Sequence, residues 1–137
     1  GLYDPHDQYL DPPLRLIPFS GAPLEYQDGI ESSLGIDLID VLLDPAVRGQ
    51  PLALEFQGAP ASHAEFEVQL WLLDGSGESA AELLTPVDRD GLLSYAVPSQ
   101  ATRSCSRLGL VITRLDARET SDPTGAYTLV LRPGVRP

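Results

Sequence analysis

With 137 residues, 42% of them hydrophobic and 21% charged, the chain suits a single domain with a substantial core. A formal charge of −11 sets phosphate repulsion against nucleic-acid binding. No apolar run approaches the roughly 18–20 residues that a membrane-spanning helix needs.

The charge is unevenly placed. Residues 1–82 carry 15 acids against two arginines, a net of −13, and residues 83–137 carry five acids against seven arginines, a net of +2. Such an acidic and a mildly basic half can attract one another between molecules. All nine cations are arginine, and lysine, methionine and asparagine are absent, which points to a GC-rich, bacterial genome. Gly1 at the start, where a methionine would stand, fits a removed signal peptide or a tag remnant. Cys105 is the single cysteine, so no intrachain disulfide forms, and its expected place is a small buried apolar position.

Thirteen prolines and twelve glycines punctuate the chain between short apolar runs. This favours short strands and turns over long helices. Residues 1–13 follow neither a two-residue nor a helical period, and Pro5, Pro12 and Pro13 deny them regular pairing. They read as an extended arm bearing Tyr3, Tyr9, Leu2 and Leu10. Leu14–Phe19 is a short strand that Pro18 assigns to an edge. Ser20–Gly35 reads as a loop, with Gly-Ala-Pro and Asp-Gly turn signals. Ile36–Leu43 reads as a strand, with a helical turn as the competing assignment, and Asp44-Pro45 ends it.

Pro51–Gln57 alternates cleanly, with Leu52, Leu54 and Phe56 on one face. Glu65–Gly77 is the central strand and turn. Phe66, Val68, Leu70 and Leu72 share one side, and Glu65, Glu67 and Gln69 share the other until Trp71 and Leu73 make that side apolar too. Glu78–Leu84 is the best helical candidate, at two turns. Gly91–Val97, Leu108–Leu115 and Ala126–Arg132 complete the strands. The sum is an all-β, antiparallel sandwich (jelly-roll or immunoglobulin-like) of seven or eight strands. Residues 1–30 form an arm and loop, and residues 31–137 the sandwich domain.

Three stretches, Ile36–Leu43, Gly49–Phe56 and Phe66–Gly75, together with the closing Asp122–Leu131, are similar to the bacterial pre-peptidase C-terminal domain. The resemblance covers about residues 35–132. It implies a secreted β-sandwich that accompanies enzymes or surface proteins without catalysing a reaction.

Candidate chemistry is sparse. The histidines, His6 and His63, fall in the arm and in a turn, without a nucleophile elbow. Glu65 and Glu67 share a strand face and read as its solvated side. Asp74, Glu78, Asp88 and Asp90, with Asp4 and Asp7, offer oxygen-rich loops in which calcium is the candidate metal, although Asp-Gly turn chemistry accounts for them as well. No other cofactor is indicated, and no catalytic residue. The interface candidates are Trp71 and Leu73, with Tyr3, Tyr9 and Leu10 of the arm. Trp71 is either covered by protein or a platform on which a pyranose stacks. The expected function is therefore a non-catalytic secreted or cell-surface module that assembles with copies of itself or with a larger surface structure through its arm. The alternative is a carbohydrate- or substrate-binding accessory domain.

Overall fold

The computed structural model describes residues 14–31, 35–59, 65–73, 82–115 and 125–134. The arm with Tyr3, Tyr9 and Leu10, both histidines, and Asp4, Asp7, Asp74 and Glu78 lie outside them. The described strands are β1 (Leu14–Phe19), β2 (Leu24–Gly29), β3 (Ile36–Leu43), β4 (Leu52–Gly58), β5 (Phe66–Leu73), β6 (Glu82–Leu84), β7 (Val87–Arg89), β8 (Leu92–Val97), β9 (Arg107–Arg114) and β10 (Ala126–Pro133). They make two five-stranded sheets, sheet A in the order β1-β3-β9-β5-β6 and sheet B in the order β2-β10-β4-β8-β7.

The all-β sandwich read from the sequence is the fold, with ten described strands in place of seven or eight. Every pairing is antiparallel except β1 with β3, which is parallel. Alternation sorts the faces. Ile39, Leu70, Leu108, Leu110 and Ile112 of sheet A meet Leu54, Phe56, Tyr95, Tyr127, Leu129 and Leu131 of sheet B in one buried cluster. At one end the rings of Phe56, Phe66 and Tyr127 pack with centroids 5.2–5.9 Å apart, mostly edge to face.

Two expectations change. Ser20–Gly35 is not wholly loop, because Leu24, Tyr26 and Asp28 alternate inward and pair with Leu131, Leu129 and Tyr127. β1 and β2 are edge strands of the two sheets. Glu82–Leu84 is a strand on β5 and not the end of a helix. A two-turn helix is marginal in water, and the edge of β5 offers Glu82–Leu84 a ladder partner. The described α-helix is instead α1 (Ser99–Ser104), six residues after Pro98. Its buried Thr102 hydroxyl donates to the Gln50 carbonyl (2.7 Å) and accepts from the Gly49 amide (3.0 Å). That pair of bonds ties α1 to the turn before β4. No helix of the described residues is long and apolar enough to cross a membrane.

Pro18 sits on the edge strand, where its missing N–H leaves no ladder partner unsatisfied. The chain crosses between the sheets at both flanks, by residues 20–23 from β1 to β2 and by Thr85-Pro86 from β6 to β7.

Candidate functional site

Sheet A has a second apolar face, turned away from sheet B. Along β5, Leu70 and Leu72 join the core while Trp71 and Leu73 form a separate buried cluster with Val111. Register builds the face outward from there. Trp71 lies opposite Gly109 on one side and Leu83 on the other, Gly109 lies opposite Asp40, and Asp40 lies opposite Leu16. The next row is Leu14, Leu38, Val111 and Gln69.

The centre of this face, on the interior strands β3 and β5, is buried. Trp71 is 7% exposed, and Leu38, Asp40 and Leu73 are buried with it. The Trp71 Nε1–H donates to Gln69 Oε1 (3.2 Å), and Asp40 Oδ2 accepts from Arg107 Nη1 (3.3 Å). The margins are open: Leu14 and Leu16 on β1 are 39% and 56% exposed, and Leu83 on β6 is 46% exposed. Alternation had placed Trp71 and Leu73 outward. It carried no signal for the burial of Leu38 and Asp40, since that depends on what lies over a face and not on its period.

A second constellation sits inside the sandwich where the edge strands β1 and β2 meet. Asp37 on β3 and Asp28 on β2 take core-facing positions, opposite Ile112 and Tyr127. Arg15 of β1 bridges them, with Nε 2.8 Å from Asp28 Oδ2 and Nη1 3.4 Å from Asp37 Oδ1. The Tyr127 hydroxyl donates to Asp37 Oδ2 (2.7 Å), the Tyr26 hydroxyl to Asp28 Oδ2 (2.5 Å), and the Gly29 amide to Asp28 Oδ1 (2.8 Å).

Burial pushes the Asp37 carboxyl up, against the pull of the Tyr127 hydroxyl and of Arg15. Burial and then the Asp28 hydrogen bond push Tyr26 up to about 12, and burial together with the Asp37 hydrogen bond lifts Tyr127 well above the ordinary phenol range. Both tyrosines are thus neutral donors and not bases. The carboxylates have donors on the oxygens named here, and the arrangement works as a polar clamp between the sheets. The signal in the sequence was an acid at an inward position, Asp37, two residues before Ile39.

Tyr127→Phe removes one donor from a buried carboxylate and should cost about 1–3 kcal/mol at neutral pH. A raised carboxyl pKa means that stability is fullest below the ordinary carboxylate range and falls as pH rises through the folded value. The variant raises that value further. Urea midpoints of the two proteins should therefore diverge as pH rises from about 4, where the ordinary carboxyl titrates, and equal gaps at about pH 3 and about pH 8 would reject this role for Asp37.

The loop acids resolve differently. Asp88 lies on β7 and Asp90 in the turn of the β7–β8 hairpin. Asp88 Oδ1 accepts from the Gly91 amide (3.0 Å), and Asp90 (φ 54°) and Gly91 (φ 89°) form its two-residue turn. Among the described residues, no group of three or more His, Cys, Asp or Glu is arranged to hold a metal. Cys105 is buried, and burial pushes its thiol up, which keeps it a weak nucleophile.

No protein-family model matches the chain, and no curated protein matches it. Among solved structures the chain is similar to PliG of Aeromonas hydrophila, a periplasmic lysozyme inhibitor of g-type lysozyme. The identity is 12% and the TM-score 0.46, over 88% of this chain and 97% of that chain.

Proposed function

We propose that this chain is a non-catalytic module of a secreted or cell-surface protein, which assembles with copies of itself or with neighbouring surface proteins through the outer face of sheet A. The observation that carries this reading is the apolar face itself. A sandwich needs one buried face per sheet, and its outer faces are ordinarily polar. Here the outer face holds Leu14, Leu16, Leu38, Trp71, Leu73, Leu83 and Val111, buried at its centre and open along the β1 and β6 margins. Exposed apolar side chains, here Leu14 and Leu16 at one margin and Leu83 at the other, are typical of docking sites. The resemblance of the strand pattern to pre-peptidase C-terminal domains supports the secreted setting. Trp71 presents too little of its ring to stack on a sugar, so the protein-binding reading is preferred over the carbohydrate one.

The arm of residues 1–13 leads straight into β1, and in this reading its Tyr3, Tyr9 and Leu10 belong to the same docking surface. The test is the mass in solution of three proteins: the full chain, the Leu14→Arg/Leu16→Arg variant and a chain lacking residues 1–13. Concentrated full chain should form assemblies, and both changes should reduce them to monomer. Because Leu14 and Leu16 are exposed, the double variant should lose no more than about 1 kcal/mol of stability, about 0.5 per site. A full chain that stays monomeric at every concentration, or assemblies unchanged in both variants, would overturn the self-assembly reading.

A further inference from the structure

A cleft of about 430 Å³ opens at the other flank of the sandwich, beside the β7–β8 hairpin, and its described lining includes Phe56, Phe66, Leu93, Glu65, Asp88 and Asp90. Its origin is topological. β6 pairs only with Leu70–Leu72, so on that side Phe66–Gln69 of β5 has no neighbouring strand among the described residues. Among the described residues the two sheets are therefore not closed over one another there.

Register makes the cleft chemically unusual. Leu93 lies opposite Phe56 on one side and opposite Asp88 on the other, so all three side chains share one face of sheet B. Phe56 shows which face that is, since it is part of the core. Asp88 thus occupies an inward position, where a closed sandwich would strip a carboxylate of water. In the open cleft it stays wet, with Asp90 and Glu65 at the rim and the half-buried Phe66 and Leu93 beneath.

Carboxylates above an aromatic and aliphatic floor complement a cation on an apolar stem. A guanidinium stacks on the ring and is bonded by the acids, and its methylenes cover the leucine. The volume lies toward the lower end of the roughly 300–1,000 Å³ of ligand sites, which suits one side chain better than a cofactor. We infer that this cleft is a binding site for a basic side chain, arginine above all, of a protein partner. The acidic surface of the chain draws such a group toward it. The site is separate from the outer face of sheet A and stands or falls independently of it.

The probe is Nα-acetyl-arginine N-methylamide, titrated into the full ¹⁵N-labelled chain, with the neutral citrulline analogue as control. Saturable shifts should centre on Phe66, Gly91 and Leu93 with millimolar affinity, and citrulline should leave them unmoved. Asp88→Asn/Asp90→Asn should weaken binding at least fivefold. Asparagine keeps an acceptor for the Gly91 amide and tolerates the positive φ at position 90, so the hairpin survives. Glu65→Gln, at an exposed strand start, is the second variant and should weaken binding about twofold. Leu14→Arg/Leu16→Arg should leave the titration unchanged. Shifts spread over the acidic surface, equal shifts with citrulline, or full binding by the Asp88/Asp90 variant would overturn the site.

Discussion

Replacing Trp71 with alanine should destabilise the chain by about 3–5 kcal/mol, the loss typical of a large buried aromatic. In a domain of this size that lowers Tm by roughly 10–20 °C. The expectation rests on a side chain that sits on the outer face of a sheet and is nevertheless 7% exposed, packed with Leu73 and Val111 and hydrogen-bonded to Gln69. A ligand platform in solvent behaves otherwise, since its truncation changes stability by less than about 0.5 kcal/mol. Unfolding in urea followed by far-ultraviolet circular dichroism distinguishes the two, because the variant has no tryptophan left to report. A loss below about 1 kcal/mol would return Trp71 to the exposed surface and restore the carbohydrate reading.

The second large effect is alkaline. Tyr95 and Tyr127 are both buried, and their hydroxyls donate to the Val68 carbonyl (3.2 Å) and to Asp37 (2.7 Å). Burial raises Tyr95 to about 12, and Tyr127 goes well past the ordinary range. In the unfolded chain both ionise near pH 10. The sign follows from the proton counts. Below pH 10 both states hold these protons and the stability is intact. Above it the unfolded chain releases them and the folded chain does not, so stability falls as pH rises.

Two such groups remove about 2.7 kcal/mol per pH unit between pH 10 and roughly 12. Against a total of some 5–15 kcal/mol, that is enough to unfold the chain before either phenol ionises in place. Absorbance at 295 nm, which reads tyrosinate, should therefore have a component that rises together with the loss of circular dichroism. Smooth ionisation near pH 10 with the dichroism unchanged would reject the buried donors. In Tyr127→Phe the slope should fall by between about a third and about a half, because the partly buried Tyr26 also contributes to it, and this links the result to the clamp around Asp37.

These effects divide along the line between local pattern and tertiary contact. The alternation of Leu52, Leu54 and Phe56, or of Tyr127, Leu129 and Leu131, is a property of the strand itself, because successive side chains on any extended backbone point to opposite faces. β3, β4, β5, β8, β9 and β10 were legible for that reason, and so was the Asp90-Gly91 turn, whose positive φ values those residues tolerate. β2, β6 and β7 were not legible. Each is short, and each is a strand because a neighbour offers a ladder: β10 for Leu24–Gly29, β5 for Glu82–Leu84, β8 for Val87–Arg89. The parallel docking of β1 on β3 likewise depends on where the chain returns, which no local residue encodes.

The candidate sites follow the same division. Trp71 and Leu73 announced a second apolar side on their strand through sequence alone. Composition alone set nucleic acid aside, and spacing alone offered no histidine-based catalyst. Only the tertiary structure joined Trp71 to Leu38, Asp40, Gly109 and Leu16 across four strands, gathered Arg15, Asp28, Asp37 and Tyr127 from β1, β2, β3 and β10 into one clamp, and left Asp88 in an open cleft. A strand fixes which way its own side chains point. Which side chains then meet is decided by register and sheet order, through contacts between residues as far apart in sequence as Asp37 and Tyr127.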